Sequence, residues 1–225
     1  RQPSTSSAML NRVTGQAPSS IAGQLNANGQ VYLVNPNGIA ITPTGTVRTG
    51  AFVASTLATT DEDFIAGRRS FQGDGRSAAV VNRVTIEIGR VGYAALIGGR
   101  VDNSGSISAP LGRIGLGAGE RATLDLSGDG FLQVGVPSAD DGDDAPLISQ
   151  SGRLSADGGR VEVKAATARR MAREVINLSG VVEARSVSGR SGAIVLGGGA
   201  GGKVRVSGRL DASAPRAAMP ASIET

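Results

Sequence analysis

From Val80 onward, Ser-Gly pairs recur at Ser104, Ser127, Ser151, Ser179 and Ser207. Most are followed by alternating apolar and polar residues: Ser106-Ile107-Ser108-Ala109, Arg153-Leu154-Ser155-Ala156, Val181-Val182-Glu183-Ala184 and Arg209-Leu210-Asp211-Ala212. A Gly-rich turn and a second strand pattern come next, at Gly112-Arg113-Ile114-Gly115-Leu116 and Gly158-Gly159-Arg160-Val161-Glu162-Val163. Self-similarity at such a period restricts the fold to a solenoid. One coil cannot bury its inward residues, but stacked coils align Ile107, Leu154, Val182 and Leu210 into an apolar ladder, at about 4.8 Å per step. Each Ser-Gly pair is expected at a corner, with Gly at positive φ and Ser bonding the local backbone. Leu154 is expected inside the stack, and Arg153 outside it and indifferent to substitution.

Composition supports stacked short strands and excludes several chemistries. Of 225 residues 34 are Gly, while Trp is absent and Tyr and Phe total only 2 and 4. In a helical bundle each interior Gly would cost about 1 kcal/mol. The chain has neither Cys nor His, which removes disulfides, thiolate nucleophiles, zinc centres and Ser-His-Asp triads. The formal net charge is +4, but the arginines are dispersed, with Arg68-Arg69 and Arg169-Arg170 the only adjacent pairs. No aromatic residues interleave with them to stack bases, so nucleic acid is not an expected partner. No apolar run is long enough for a membrane span.

The earlier part of the chain has one strongly specified corner. Val31 to Val34 are continuously apolar, so both faces of that strand should be covered. Asn35-Pro36-Asn37-Gly38 then read as a type I β-turn. The Asn35 side chain can accept from the backbone two residues on, Pro36 presets φ, and Gly38 suits the last position. Ile39 restarts a strand. Further on, Thr60 can N-cap a short helix whose first turn is acidic, over 61–66, ended by Gly67. Ser70 to Ala78 read as a hairpin or loop outside the stack. A second short helix is expected over 166–174. Asp140, Asp141, Asp143 and Asp144 form an acidic loop. Calcium is the sharp reading of it and a solvated loop the plain one; the spacing fits no EF-hand.

Around this corner, unlike motifs stand in a fixed order. Leu10-Asn11-Arg12-Val13-Thr14-Gly15 precedes it, within the block that starts at Gln2-Pro3-Ser4. Pro18-Ser19-Ser20-Ile21 and Ala27-Asn28-Gly29-Gln30 follow, then Asn35-Pro36-Asn37-Gly38-Ile39 and Ala51-Phe52-Val53-Ala54-Ser55-Thr56-Leu57. In this order and spacing the chain resembles the secretion domain of the filamentous haemagglutinin family, the large exoproteins of two-partner secretion. The resemblance runs most closely from Gln2 to about Ile97, and more weakly to about Ala184. It implies a right-handed parallel β-helix recognised by the periplasmic domains of an outer-membrane transporter. It also implies export through the periplasm to the cell exterior or the bacterial surface, and a host-cell surface or glycans as eventual targets. Within it, Asn35, Pro36, Asn37, Gly38 and Ile39 are the candidate secretion motif, and Leu10, Asn11, Arg12 and Val13 the supporting one. Residues 1–98 are expected to be the C-terminal part of the secretion domain, without its N-terminal cap, and 99–225 to continue the same stack.

The competing class is a β-helix enzyme acting on polysaccharides. Such a site needs carboxylates converging on one groove, usually with aromatic platforms for sugar rings. Glu87, Glu120, Asp125 and Glu162 are the carboxylates available for it, and they do not recur at a fixed phase of the coil. The expectation is therefore an all-β export and scaffold module, with no catalytic residues, no cofactor and no metal.

Overall fold

A computed structural model describes residues 2–75, 77–128, 130–139, 144–168, 173–214 and 222–224. Successive strands are laid in turn on three parallel sheets, which makes the chain a parallel β-helix. The first sheet has eight strands: Ala8–Arg12, Gln30–Val34, Ala51–Ser55, Tyr93–Gly98, Arg113–Ala118, Arg160–Ala165, Ala193–Gly197 and Ser222–Glu224. The second has seven: Ser19–Ile21, Ile39–Ile41, Ala79–Asn82, Arg100–Asn103, Ile148–Gln150, Glu174–Leu178 and Lys203–Val206. The third also has seven: Gln24–Asn26, Thr46–Thr49, Thr85–Ile88, Ser106–Ser108, Arg153–Ser155, Val181–Glu183 and Arg209–Asp211.

The expected ladder is present and in register. Ile107 pairs with Leu154, Leu154 with Val182, and Val182 with Leu210. It extends in the other direction through Ile86 and Val47 to Leu25. All of these except the terminal Leu25 and Leu210 are buried.

The Ser-Gly pairs at 104, 151, 179 and 207 stand at the corner between second and third sheets, but not for the expected reason. None of their glycines has positive φ. A Cβ on Gly152 would lie 1.9 Å from the carbonyl oxygen of Gly105, and one on Gly180 would lie 2.1 Å from that of Gly152. The glycines form a column in which each backbone rests on the one below, and only a missing side chain permits that approach. The Ser and Gly N–H groups of each pair share one carbonyl from the neighbouring coil, as Ser151 and Gly152 do with that of Asn103. Ser127-Gly128 does not belong to the column. It lies in the turn joining two strands outside the stack, Arg121–Leu124 and Leu132–Gly135.

Those strands and Ser70–Gln72 form a three-stranded antiparallel sheet. Ser70–Gln72 therefore does leave the stack; its strand partner comes from a later coil, and Gln72 also bridges back to Ala58. The outer sheet covers the outer face of the first sheet. Phe71, Ala122, Leu124, Phe131 and Leu132 join Tyr32, Val34, Val53, Ala95 and Ile97 in a second apolar core. This explains the unbroken apolar runs of the first sheet. Tyr93–Gly98 is buried at every position because one side faces the helix interior and the other the outer sheet.

The short helix forms at Asp61–Ile65. Thr60 Oγ1 accepts from the Asp63 N–H at 3.1 Å, the acidic trio occupies the first turn, and Gly67 follows at φ 78°. The second expected helix is overturned where it is described. Residues 166–168 are irregular and Glu174 opens a strand, paired through Ile176 and beyond with Lys203–Val206. Pairing with strands on both sides, Ile148–Gln150 and Lys203–Val206, outweighs the local helix propensity of an Ala-rich stretch. Residues 169–172 lie outside the described residues, as do Asp140, Asp141 and Asp143 of the acidic loop.

Candidate functional site

The corner at Asn35–Gly38 joins the first sheet to the second. The Gly38 N–H donates to the Asn35 carbonyl at 3.1 Å, closing the turn. Asn35 Oδ1 accepts from the Asn37 N–H at 3.0 Å, the self-bonding expected of Asn at the head of a turn. Gly38 sits at φ 116°, a region that disfavours side chains, although a Cβ there would find room, with its nearest neighbours at 3.6 Å.

Asn35 does more than shape its own turn. Its amide is fully buried, and Nδ2 donates to the Ala17 carbonyl at 3.0 Å and to Ser19 Oγ at 2.8 Å. Asn37 Nδ2 donates to the Gly15 carbonyl at 2.9 Å. The two amides thus tie the preceding coil's corner, residues 15–19, to this one. Asn35 N–H reaches the Ser55 carbonyl of the next coil at 3.0 Å, and the Gly38 carbonyl accepts from Ser19 N–H at 2.9 Å. Pro36 and Asn37 are exposed, while Ile39 is buried in the helix core.

Leu10–Val13 lies directly beside this corner. Strand Ala8–Arg12 pairs in register with Gln30–Val34, and Val13 N–H continues the ladder to the Val34 carbonyl at 2.9 Å. Leu10 packs against the outer apolar core, and Asn11 Nδ2 donates to the Tyr32 carbonyl at 3.3 Å. Arg12 bridges to the short helix, donating to the Thr59 carbonyl at 2.7 Å and to Asp61 Oδ1 at 2.9 Å. The two motifs occupy adjacent coils at one corner of the helix.

The two longest departures from the stack among the described residues also start from first-sheet strands at this same corner, after Ser55 and after Ala118. Sequence reasoning missed what anchors them. Arg69 from the first departure lies 5.0 Å from the Tyr32 ring centre and 4.5 Å from that of Phe64, and its Nε donates to Tyr32 Oη at 2.7 Å. Tyr32 Oη is hydrogen-bonded to Tyr93 Oη, which donates to Gln30 Oε1 at 2.7 Å. Burial, then the neighbouring Tyr32, pushes the Tyr93 hydroxyl pKa far above its ordinary value, so it remains a neutral donor. A signal was available: a buried tyrosine needs a hydroxyl partner, and Tyr32 and Tyr93 are the only two in the chain.

The four carboxylates considered for catalysis are not brought together. Glu87 is in an exposed pair with Arg48 at 2.8 Å. Asp125 caps its own hairpin turn, accepting from Ser127 and Gly128 N–H. Glu120 is buried and accepts from the N–H groups of Gly75 and Ser77 and the hydroxyls of Ser77 and Ser138. Burial opposes its ionisation, but the Ser138 and Ser77 bonds outweigh that and leave its pKa lowered. Glu162 is buried under the outer hairpin, where Phe131 and Leu132 N–H donate to it at 2.9 and 3.0 Å and Lys164 Nζ lies at 2.7 Å. Its pKa is likewise lowered against the pull of burial, first by Lys164 and then by those two N–H groups. Each carboxylate is consumed by local structure. Five of the six aromatic rings are buried and Phe64 is half-buried against Tyr32, so none offers a sugar platform. Among the described residues no group of three or more acidic side chains is placed to hold a metal ion.

A family model described as the TPS secretion domain matches residues 1–206. The chain belongs to that family. It is a family of secretion domains of exoproteins rather than of enzymes, and such exoproteins cross the outer membrane with a transporter as partner. The crystal structure of the HMW1 secretion domain from Haemophilus influenzae is similar, with a TM-score of 0.79 and 32% identity, over 99% of this chain and 61% of that one. A heme/hemopexin-binding protein of Haemophilus influenzae is 30% identical over 203 residues, 87% of this chain. Another protein of that name is 44% identical over 55 residues. The TPS domain here spans 22% of the length of the first of these relatives and 6% of the second.

Proposed function

We propose that this chain is the export-recognition part of a larger exoprotein. The periplasmic domains of an outer-membrane transporter read the corner formed by Asn35–Ile39 and Leu10–Val13, and residues 99–225 continue the helix as a rigid stem. Beyond it the exoprotein would present an adhesive or haemagglutinating surface to host cells or their glycans. The corner's amides contribute by fixing the shape that is recognised, not by touching the transporter. The observation that carries this reading is the Asn35 amide: fully buried, with its oxygen and nitrogen both engaged by neighbouring backbone and Ser19. A side chain so occupied has nothing left to offer a partner.

The test is a pair of measurements on Asn35→Ala: the thermal midpoint of the purified domain, and the amount exported when the transporter is co-expressed. Removing a buried amide that satisfies several backbone groups costs about 1–3 kcal/mol, and export should fall in proportion to stability. A variant that melts like the parent and yet stays in the cell would overturn the reading and make Asn35 a contact residue.

A further inference from the structure

We propose that the groove along the corner between third and first sheets docks an extended segment of a partner protein, in which apolar side chains alternate with carboxylates. This corner lies at the opposite end of the first-sheet strands from Asn35–Ile39, so the proposal does not rest on the transporter reading.

Val91, Leu111 and Gly158 hold equivalent places on three successive coils, at φ 65°, 56° and 69°. Their N–H groups make the same bond to the coil above: Val91 to the Pro110 carbonyl at 2.9 Å, Leu111 to that of Asp157 at 2.9 Å, and Gly158 to that of Arg185 at 2.6 Å. The coil demands a left-handed residue here. Gly158 meets the demand freely, whereas a leucine and especially a β-branched valine meet it against their preference. Burial of the side chain could offset that strain, but Val91 is 60% exposed. A strained, solvent-facing valine where glycine would fold better points to a use outside folding.

The surroundings say what kind of use. Leu126, 39% exposed at the tip of the outer hairpin, stands over the same groove, which encloses about 600 Å³. Among the described residues, the charged ones lining it are Arg113, Arg160 and Arg190, and none of the lining residues is a carboxylate. Arg113 gives its hydrogen bonds to the Asp125 and Gly128 carbonyls, which orient the guanidinium beside the Asp125 carboxylate. Arg160 pairs with buried Glu162, which Lys164 shares, and its guanidinium also lies 4.0 Å from Glu224 at the edge of the groove. Arg190 is exposed. Apolar contacts from Val91, Leu111 and Leu126, beside a cationic row that follows the helix axis, complement an extended apolar–acidic strand of polypeptide. An anionic glycan would use the arginines and leave the three apolar side chains without a role.

The experiment is fluorescence anisotropy with a short labelled peptide alternating leucine and glutamate, titrated with the 225-residue chain. A leucine–lysine peptide and heparin serve as competing probes. The parent should bind the acidic peptide and not the basic one. Val91→Gly should raise the thermal midpoint yet weaken binding by at least about tenfold, as expected for an anchor residue. Leu126→Ser should weaken binding with little change in midpoint, and Arg190→Ser should weaken it and flatten its salt dependence. Absence of binding by the parent, equal binding of the basic peptide, or unchanged affinity in both Val91→Gly and Leu126→Ser would overturn the proposal. So would heparin binding that displaces the peptide and ignores the apolar variants, which would assign the groove to a polyanion.

Discussion

The first sheet has two faces, and they are held by different logic. Its inner face is a column of stacked apolar residues, such as Phe52, Ala94, Ile114 and Val161, each supported by the coil above and below. Its outer face is covered by segments that arrive from distant points in the chain and are held by polar anchors: Arg69 on Tyr32, and Glu162 on the Phe131 and Leu132 N–H groups. The inner face propagates, since any coil that offers an apolar residue at the right phase extends it. The outer face is built once, at places where a small residue leaves room. Gly115 and Gly117 do this, since a Cβ on either would come within 3.0 to 3.2 Å of the Phe131 or Leu132 side chain. The inner core specifies the architecture, and the outer core specifies which coils carry a second layer.

The contrast would be broken most severely inside the ladder. Leu154→Asp puts an unpaired charge between Ile107 and Val182, at a cost on the order of 3–5 kcal/mol or more. Chemical denaturation should show the whole stack destabilised, with loss of protection on coils either side. If only the outer sheet loosened, the ladder would not be the common support of the fold. Gly152→Ala comes next. Its new methyl would collide with the Gly105 carbonyl, a backbone atom that cannot rotate aside, at a cost of about 1–3 kcal/mol. A variant as stable as the parent would show that the glycine column is not close-packed.

Glu162→Gln tests the outer face. Loss of its charge beside Lys164 and Arg160 should cost about 1–3 kcal/mol, with hydrogen exchange rising in residues 121–135 before it rises in the ladder. The lowered pKa of Glu162 adds a pH dependence of defined sign. Its stabilisation is complete above the ordinary carboxylate value of about 4.3 and is lost as pH falls through the lower folded value. The parent should therefore lose outer-sheet protection below about pH 4, and the Gln variant should lack that step. A step of equal size in both would assign it to other groups, of which buried Glu120 is the first to examine. The smallest effect belongs to Arg48→Ala. It removes a pair with Glu87 whose side chains are 64% and 50% exposed, and a change above about 1 kcal/mol would contradict the solvated character of that surface.

Arg153 shows how far outward-facing positions can be read without a structure. It does point outward, as its phase beside Leu154 requires, but its guanidinium lies 2.8 Å from Glu183, whose side chain is only 5% exposed. Arg153→Asp would set two carboxylates together and is not the indifferent change that alternation alone suggests. The buried amides are a second case. Asn82, Asn103 and Gln150 stack inside the helix, with Asn82 Nδ2 donating to Asn103 Oδ1 at 2.7 Å and Asn103 Nδ2 to Gln150 Oε1 at 2.5 Å. An amide immediately before the Ser-Gly pair was visible at Asn103 and Gln150, yet Leu178 holds the next place in the column and hides the pattern.

The sequence by itself determined the solenoid, the ladder Ile107–Leu154–Val182–Leu210, the short capped helix, and a turn at Asn35–Gly38 with Asn35 bonded to Asn37 N–H. These are legible because they depend on spacing within one coil or on the chemistry of adjacent residues, and such information is local. Only the tertiary structure decided that Ser-Gly corners need glycine for close stacking rather than for positive φ, and that Ser127 belongs to an outer hairpin. It also decided that Ser70–Gln72 pairs with a strand from a later coil, and that Glu174 extends a sheet instead of ending a helix. Except for Ser127, whose hairpin is local, the deciding partner in each of these comes from another coil, dozens of residues away in sequence for Ser70–Gln72. A residue's own neighbours carry no record of which backbone will rest against it.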